Sequence, residues 1–494
     1  MKIAINNLGP IKRFEFDLSK DINVLFGKNN VGKSYAITAV YLLIKNLLNQ
    51  NFRNSTELDY FVFRNHVRNR FEYAPKIFKE IDEVESMIIS KLKDNDPLNI
   101  TKEIKKLLAQ AISQSLKEGL EKSFKSSFSS IDGLANKFSG RKFSIEVHFK
   151  DFSFSVLNDK STIQINHVKL NKEIVIKKSL ANRKQTEDDS TVTVYYNSKE
   201  KKDKNEYPIL DKIMIDLYVA FKEEVSREIK NIYFLPASRS GLYQTLSAYG
   251  AIIAELSKSR NFLSNKLELP TMSEPVIDYC LHLANINNKR KNKKYAALVS
   301  ALENRILQGK VSFNAESKRI VFEPHRIKLE LDLAFTSSMI SEIAPIAAFL
   351  KYIIADEAAV PHGHFMRGKR RSGKPPSNII FIEEPEAHLH PEIQVRMMEL
   401  FTQLAKHGIK IVMTTHSNYM FGKLSNLVLA NKVKHENVGS YLMKMTAEGS
   451  LGDAASMAAD EEGMKDENFA ETAEKLYEDR ISIYDKLNGK DADK

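Results

Sequence analysis

The sequence predicts an α/β fold with a mixed sheet that is interrupted by helical and antiparallel β insertions. Three observations support this class. Residues 22–26 form an apolar, strand-like run that enters a polar loop, and an apolar helical stretch follows the loop. Much later, residues 379–382 and 409–413 form two apolar runs with the length of buried parallel strands. Between these ends, segments with helical spacing and segments with two-residue alternation follow one another.

Length and composition are those of an ordinary globular chain. Its 494 residues are 43% apolar and 28% charged, which is enough for one large core or for two or three modest ones. The single cysteine, Cys280, excludes an internal disulfide framework and a cysteine-based zinc site. No apolar run reaches the length that spans a bilayer. We therefore expect a cytoplasmic protein without a membrane partner.

The formal net charge of +11 raises the question of a polyanionic partner. Basic residues cluster at 199–204, 289–294 and 367–374. Each cluster is either a solvated loop or a surface that contacts DNA, and the third leads directly into the strand-like run at 379–382. Direct DNA contact through these loops is therefore one alternative.

The loop after the first apolar run carries the pattern G-x-x-x-x-G-K-[ST], with Gly27, Gly32, Lys33 and Ser34 at the defining positions. Glycines allow a tight turn that directs backbone N–H groups at phosphate oxygens, and the following helix adds its positive end. Lys33 reaches the β- and γ-phosphates, and the Ser34 hydroxyl holds Mg²⁺. The residues predicted to contact nucleotide here are Gly27, Asn29, Asn30, Val31, Gly32, Lys33, Ser34 and Tyr35.

Other segments complete the predicted fold around this loop. Upstream, residues 3–5 and 14–18 alternate as in two strands of a half-buried sheet. Residues 101–124 place apolar side chains at helical spacing and predict one helix. Residues 143–149 and 152–156 alternate as in antiparallel strands. These segments are the helical and antiparallel insertions.

The second half of the chain supplies partners for the phosphate loop. The run at 379–382 ends in two adjacent carboxylates, Glu383 and Glu384. One carboxylate is needed near Mg²⁺, and a second can polarise the attacking water. The run at 409–413 is followed by two threonines and His416, whose imidazole can contact a γ-phosphate.

The segments GKNNVGKS, IIFIEEPEAHLHP and TTHS together resemble the P-loop, Walker B and switch-histidine segments of ABC-type ATPases of the RecF/SMC/OLD branch. The resemblance covers residues 1–50 and 315–450, plus a short middle piece. It implies an ABC-type P-loop ATPase head that binds ATP and Mg²⁺ through the loop lysine and serine. It also implies that Glu383 is a Mg²⁺ ligand, that Glu384 is the catalytic base and that His416 senses the γ-phosphate. Position 383 is Glu where many ABC proteins have Asp.

Members of this branch have a signature segment that caps ATP from a second subunit, and residues 335–353 are the best candidate. Ser337 and Ser338 would lie at a helix N-terminus, with free N–H groups for a γ-phosphate. Met339 stands where glycine is common, and an ordinary Ser-capped helix is the alternative. The resemblance implies that one chain does not complete its own site, so we expect a homodimer or higher oligomer on ATP binding.

The middle piece, residues 231–245, is similar to a segment near the Q-loop of OLD-type ATPases. Arg239 is a candidate phosphate contact. Gln244 either reaches Mg²⁺ or is simply solvated.

Histidines near a carboxylate raise the alternative of a metal site. His388 and His390 lie close to Glu386, and three such ligands can bind zinc. Their spacing, however, matches the family's loop after Walker B. The histidine pair at 361–365 raises the same alternative of a metal site, and we do not favour it there either.

We divide the chain into six segments. They are an N-terminal lobe of the head (1–75), a helical and β insertion (76–205), a return to the head (206–250), a helical basic insertion (251–310), a C-terminal lobe (311–450) and a helical tail (451–494). The tail has apolar residues at helical spacing, which either pack on the head or dock a partner.

The tail lacks the strand-like context and acidic cluster of the TOPRIM nuclease domain found in OLD nucleases. We therefore expect a stand-alone ATPase that assembles on ATP, hydrolyses it slowly and controls a separately encoded effector or nuclease. This organisation resembles the ATPase subunits of bacterial anti-phage systems such as PARIS and Septu. The alternative is a RecF-like DNA-repair ATPase that clamps DNA in an ATP-dependent way.

Overall fold

The computed structural model describes the residues in these ranges: 1–48, 76–92, 96–180, 183, 185–197, 209–246, 272–286, 292, 294–354 and 376–491. They form two compact units: unit 1 comprises 1–16 and 39–231, and unit 2 comprises 17–38 and 232–494. The basic runs and the histidine pair at 361–365 lie outside the described residues, apart from positions 292 and 294. The division into six segments stays a prediction.

Helices and strands occur in both units. The helices are α1 (Lys33–Leu48), α2 (Lys76–Lys91), α3 (Thr101–Phe128), α4 (Ile209–Glu228), α5 (Glu274–Ala284), α6 (Ala296–Leu302), α7 (Ser338–Ala348), α8 (Pro391–Lys406), α9 (Asn418–Leu429) and α10 (Ala470–Asp491). The first ten strands are β1 (Lys2–Leu8), β2 (Ile11–Asp17), β3 (Ile22–Gly27), β4 (Leu98–Asn99), β5 (Ser144–His148), β6 (Phe152–Asp159), β7 (Thr162–Leu170), β8 (Glu173–Ser179), β9 (Thr186–Glu187) and β10 (Thr191–Asn197). The others are β11 (Ile229–Leu235), β12 (Gly309–Asn314), β13 (Arg319–Pro324), β14 (Leu331–Asp332), β15 (Ser377–Glu383), β16 (Ile409–Thr414), β17 (Val438–Thr446), β18 (Gly449–Asp453), β19 (Ala459–Asp460) and β20 (Gly463–Met464).

Unit 2 contains a sheet with the strand order β11-β15-β16-β3-β17-β18. Strands β15, β16, β3 and β17 run parallel to one another, and β18 is antiparallel to β17. All six residues of β3 are buried, as are the five central residues of β15. A parallel strand that is buried on both faces has a continuous apolar sequence, which is why these runs were visible in the sequence. The predicted α/β class with a mixed sheet is confirmed.

The core of unit 2 lies between this sheet and its helices. Ile382 of β15 and Met413 of β16 are fully buried beside Phe401 of α8 and Phe421 of α9. A small antiparallel sheet of β12, β13 and β14 packs into the same cluster through Val311. This packing holds the ends of the central strands in fixed positions.

Unit 1 contains the predicted insertions. Helix α3 confirms the helix expected at 101–124, and its apolar side chains are buried: Ile104, Leu107, Leu108, Ile112, Leu116, Leu120 and Phe124. Strands β5 and β6 pair antiparallel, as predicted, within the order β2-β1-β5-β6-β7. A second sheet has the order β4-β8-β10-β9, in which β8 and β10 are parallel.

One buried carboxyl group of unit 1 should make stability depend on pH. Glu224 of α4 is 7% exposed, and the backbone N–H of Asp151 donates to it at 3.5 Å. Burial, and then the neighbouring Asp151, raise the pKa of Glu224 from 4.5 to about 7. The folded protein therefore binds this proton more tightly than the unfolded chain. The stabilisation is present below pH 4.5 and is lost as the pH rises through about 7.

We expect Glu224→Gln to remove this pH dependence, because glutamine is neutral at every pH. The free energy of unfolding of the variant minus that of wild type should increase by on the order of 1–3 kcal/mol when the pH is raised from 5 to 8. Urea unfolding at the two pH values, followed by circular dichroism, measures the difference. If the free energies of unfolding of variant and wild type differ by the same amount at both pH values, the raised pKa of Glu224 is contradicted.

The C-terminal helix α10 is anchored at its start. Phe469, just before it, packs edge-on against Phe26 with ring centroids 6.1 Å apart, and it also contacts Phe421. Beyond this anchor, large apolar side chains of α10 are exposed: Leu476, Tyr477, Ile481, Ile483 and Tyr484. Phe469 thus packs on the rest of unit 2, and docking of a partner by the exposed side chains stays a prediction.

Candidate functional site

Three parallel strands of unit 2 end at the same edge of the sheet. Glu383 of β15 is opposite Thr414 of β16, and Thr414 is opposite Leu25 of β3. The next residue, Glu384, continues the pairing because its N–H donates to the Thr414 carbonyl oxygen at 3.0 Å. Ligands of parallel α/β sheets bind at the carboxyl ends of the strands. The edge therefore collects the glycine-containing loop, both carboxylates and the histidine predicted from the sequence.

The loop between β3 and α1 depends on unusual backbone angles. Gly27, Asn30 and Gly32 have φ of 135°, 64° and 86°, in the region that favours glycine and asparagine. A Cβ atom at Gly27 would lie 2.5 Å from the carbonyl oxygen of Met443. Glycine is therefore required there by close approach as well as by φ. The turn brings the chain into α1, which begins at Lys33.

The side chain of Lys33 folds back over its own loop. Its Nζ donates to the carbonyl oxygens of Gly27 at 3.0 Å and Lys28 at 2.8 Å, and the residue is 6% exposed. Burial lowers the pKa of Lys33 to about 8, whereas the charges of Glu384 and Glu386 raise it. The ammonium group thus sits in the concave side of the loop, where phosphate oxygens can replace the carbonyl oxygens as acceptors.

Ser34 and Glu383 meet directly. The Ser34 hydroxyl and the backbone N–H of Ala237 both lie near the Glu383 carboxylate, as donors that favour its charged form. Burial raises the pKa of Glu383, and these hydrogen bonds together with Arg239 oppose that shift. A hydroxyl and a carboxylate side by side are hard oxygen ligands, and Mg²⁺ commonly takes only one or two protein ligands beside phosphate and water. The two side chains fit a Mg²⁺ ion.

Glu384 and His416 face each other across the site. Nε2 of His416 is 3.7 Å from Oε1 of Glu384, and the Glu384 side chain is 43% exposed, so water reaches it. Burial and the charge of Lys33 lower the pKa of His416, and Glu384 opposes this shift. The imidazole is therefore neutral near pH 7, with one N–H available as a donor.

Glu386 holds the backbone of His416 in place. Its Oε1 accepts the backbone N–H of His416 at 2.5 Å. Burial raises the pKa of Glu386, while hydrogen bonds from His416 and the Thr415 side chain lower it. Glu386 thus joins the turn after β15 to the turn after β16, a role that the sequence did not indicate.

Arg239 is placed differently from the phosphate contact predicted for it. The residue is fully buried, and its guanidinium donates to four carbonyl oxygens: Pro236 after β11 at 2.9 Å, Glu342 at 3.1 Å, Glu383 at 2.9 Å and Glu384 at 3.3 Å. Its Nε lies 3.2 Å from a Glu342 carboxylate oxygen. Because the N–H groups of its guanidinium are used in these contacts, Arg239 binds protein groups and not a phosphate.

The two serines of the proposed signature segment lie at the start of α7. Ser337 caps the helix, since its Oγ accepts the N–H of Ile340 at 3.4 Å. Both Ser337 and Ser338 are exposed. Asn29 and Asn30 are also exposed, as is Tyr35. Their contacts with nucleotide stay predictions, like those of Val31, which is buried against the loop.

Three further residues that the sequence offers as metal ligands lie at the surface. Gln244 is exposed, and so are His388 and His390, whose Nδ1 accepts the N–H of Glu392 at 3.4 Å. Within the part of the chain that the structure describes, no group of three or more His, Cys, Asp or Glu side chains is arranged to hold a metal ion.

Glu342 is the other residue that the sequence analysis missed. It is fully buried in α7 and accepts hydrogen bonds from the N–H groups of Arg239 and Ser240 and from the Ser240 hydroxyl. A signal was present in the sequence. One acidic residue within the apolar helical stretch ISEIAPIAAFL must be buried, and a buried charge needs a partner.

Among solved structures, the chain is similar to head domains of SMC proteins. The SMC head domain from Thermotoga maritima is 10% identical, with 92% of this chain and 98% of that chain covered and a TM-score of 0.34. An Smc head bound to the C-winged helix domain of ScpA is 9% identical, with 92% and 97% covered and a TM-score of 0.36. An Smc head with an extended coiled coil, bound to the C-terminal domain of ScpA from Pyrococcus furiosus, is 10% identical, with 97% and 98% covered and a TM-score of 0.35.

The comparison with curated proteins gives no match. Among the described helices, none combines the length and the apolar character that crossing a membrane requires. The family model AAA_15, described as an AAA ATPase domain, matches residues 1–421 of the 494. With the mixed sheet, this match confirms the predicted class of an ABC-type P-loop ATPase head. The chain belongs to the AAA_15 family of ATPase domains.

Proposed function

We propose that the chain binds ATP with Mg²⁺ at the sheet edge of unit 2 and hydrolyses it slowly. One observation carries the proposal: strand pairing through Thr414 brings Glu383 to the same sheet edge as the phosphate loop, near the Ser34 hydroxyl, although the two residues are about 350 positions apart in the sequence. A loop and a strand that are so distant in sequence meet at the place where a Mg²⁺-bound triphosphate needs both.

The roles of the side chains follow from their positions. Loop N–H groups and the start of α1 bind the phosphates, and Lys33 donates to the β- and γ-phosphate oxygens. Ser34 and Glu383 hold Mg²⁺, which neutralises charge on the phosphates when bound. Glu384, exposed to water and adjacent to Glu383, accepts a proton from the attacking water. His416 donates its N–H to the γ-phosphate.

Metal binding can be tested without measuring turnover. Ser34→Ala should weaken Mn²⁺ binding in the presence of a nonhydrolysable ATP analogue by about tenfold or more, since one oxygen ligand is removed. Electron paramagnetic resonance of Mn²⁺ gives the affinity. Ser19→Ala changes a serine outside the site and serves as the control. Equal affinities of wild type and Ser34→Ala would contradict the metal assignment.

We further propose that ATP joins two or more copies of the chain and that the assembly controls a separately encoded effector, as expected for an anti-phage ATPase. Ser337 and Ser338 support this, because they are exposed at the N-terminus of α7 and available to a phosphate bound in a second copy. The exposed apolar side chains of α10 support the presence of a further protein partner.

Two measurements separate this function from that of a DNA clamp. Light scattering with and without ATP should show a larger assembly with ATP, and Ser338→Asp should prevent it by placing negative charge against phosphate. Binding to duplex DNA should be weak. Tight binding that strengthens with ATP and falls steeply with salt would favour the RecF-like alternative, to which the net charge of +11 would then contribute.

A further inference from the structure

We propose that Arg239 is a positioning residue for hydrolysis, which acts with Glu342 as a buried ion pair that fixes the main chain of the catalytic carboxylate. The inference rests on the proposed ATPase function and assigns roles to two residues that do not touch the nucleotide. It follows from what the guanidinium binds, from the backbone of Glu384, and from the helix that provides the counter-ion.

The guanidinium binds the end of β15 at two consecutive carbonyl groups. One terminal nitrogen donates to the Glu383 oxygen at 2.9 Å and the other to the Glu384 oxygen at 3.3 Å. The planar fork of arginine presents such donors in a fixed geometry that a lysine ammonium cannot reproduce. Arg239 therefore sets the orientation of the peptide groups that follow the two carboxylate-bearing residues.

The backbone of Glu384 requires such support. Its φ of 42° lies in the left-handed region, which is unfavourable for a residue with a side chain. A residue stays in that region only when its surroundings hold it there. The N–H of Glu384 donates to Thr414, and its carbonyl oxygen accepts from Arg239. Both peptide groups are fixed, so the direction in which the Glu384 side chain leaves the backbone is fixed as well.

Glu342 neutralises the arginine and connects it to α7. Both side chains are 0% exposed, with Nε 3.2 Å from Oε2. A charge buried this deeply is strongly unfavourable without its partner, so each side chain requires the other. Glu342 lies one helical turn after Ser338 on the same helix. The ion pair consequently links α7, which carries the proposed signature serines, to the carbonyl groups of Glu383 and Glu384. These carbonyl groups determine the backbone orientation of Glu384.

The test uses the full-length protein, two variants of the ion pair, one control variant and, as a reference without hydrolysis, Lys33→Ala. Arg239→Lys keeps the charge but loses the fork. The double variant Arg239→Met, Glu342→Met removes both charges together, so it keeps a neutral core if a single change prevents folding. Glu303→Gln is the control, because Glu303 forms a partly buried ion pair with Lys351 at 2.5 Å, outside the cluster of Glu383, Glu384 and His416. For each protein, kcat, the Kd for a fluorescent ATP analogue with Mg²⁺, and Tm are measured.

We expect Arg239→Lys and the double variant to lower kcat at least about tenfold while Kd changes by less than about threefold, since the pair orients the base and does not bind nucleotide. Glu303→Gln should lower Tm without changing kcat at temperatures where it is folded. A wild-type kcat in both pair variants, or a loss of affinity that matches the loss of kcat, would overturn the positioning role. If wild-type phosphate release is no faster than that of Lys33→Ala, the proposed ATPase function itself fails, and the inference fails with it.

Discussion

Replacing Glu384 with glutamine should reduce kcat for ATP hydrolysis by about 10²–10⁴-fold while MgATP still binds. The amide keeps the size of the carboxylate but accepts no proton from the attacking water. Lys33, Ser34 and Glu383 are unchanged, so the triphosphate and the metal stay in place. Because ATP then persists, the variant should accumulate as the ATP-bound assembly. Phosphate release measures turnover, and light scattering with ATP measures the assembly.

Glu392→Gln is a matched control for this variant. It makes the same chemical change at an exposed glutamate of α8, which pairs with Arg396 one turn later on the same helix. Its turnover should equal that of wild type. Normal phosphate release by Glu384→Gln would reject Glu384 as the base and would direct attention to the neighbouring carboxylates.

Replacing Lys33 with alanine should abolish detectable ATP binding, with a loss of affinity of at least about 100-fold. The ammonium is a charged donor in a water-poor position, and hydrogen bonds to charged groups are stronger than neutral ones. The protein should fold as well as wild type without nucleotide. Burial disfavours the charged form of Lys33 and lowers its pKa to about 8. Below that pH the buried charge reduces the stability of the folded protein, and alanine removes this charge.

Titration with a fluorescent ATP analogue and thermal unfolding together test this second expectation. Wild type should gain in Tm when MgATP is added, because a ligand that binds only the folded state stabilises it. Lys33→Ala should show the same Tm with and without MgATP. Lys432→Ala, at an exposed lysine of unit 2, should behave as wild type. An ATP-dependent rise in Tm for Lys33→Ala would show that the nucleotide binds elsewhere.

The features that the sequence predicts are those determined by residues close together in the chain. Strand β15 is a run of buried apolar residues, and such a run is recognisable because burial on both faces removes polar alternation. The phosphate loop is recognisable because Gly27 and Gly32 occupy backbone conformations that other residues avoid. Helix α3 shows its buried face through regular spacing alone.

The features that the sequence does not predict depend on contacts between distant residues. Arg239 and Glu342 are 103 positions apart, and only the folded chain shows that the arginine binds a carboxylate and carbonyl oxygens instead of phosphate. The sequence presents Glu386 only as a possible metal ligand beside two histidines. Its bond to the His416 N–H joins two turns 30 positions apart, which no local pattern predicts. Side-chain partners of this kind have no local pattern in the sequence.

A crystal structure with a nonhydrolysable ATP analogue and Mn²⁺ tests the central claim most directly. The anomalous signal of manganese locates the metal independently of the nucleotide. We expect the γ-phosphate within hydrogen-bonding distance of Lys33 Nζ, the metal bound by Ser34 and Glu383, and the Glu384 carboxylate facing a water beside the γ-phosphate. A triphosphate bound away from the loop at 27–34, or a metal without Glu383 in its vicinity, would contradict the account.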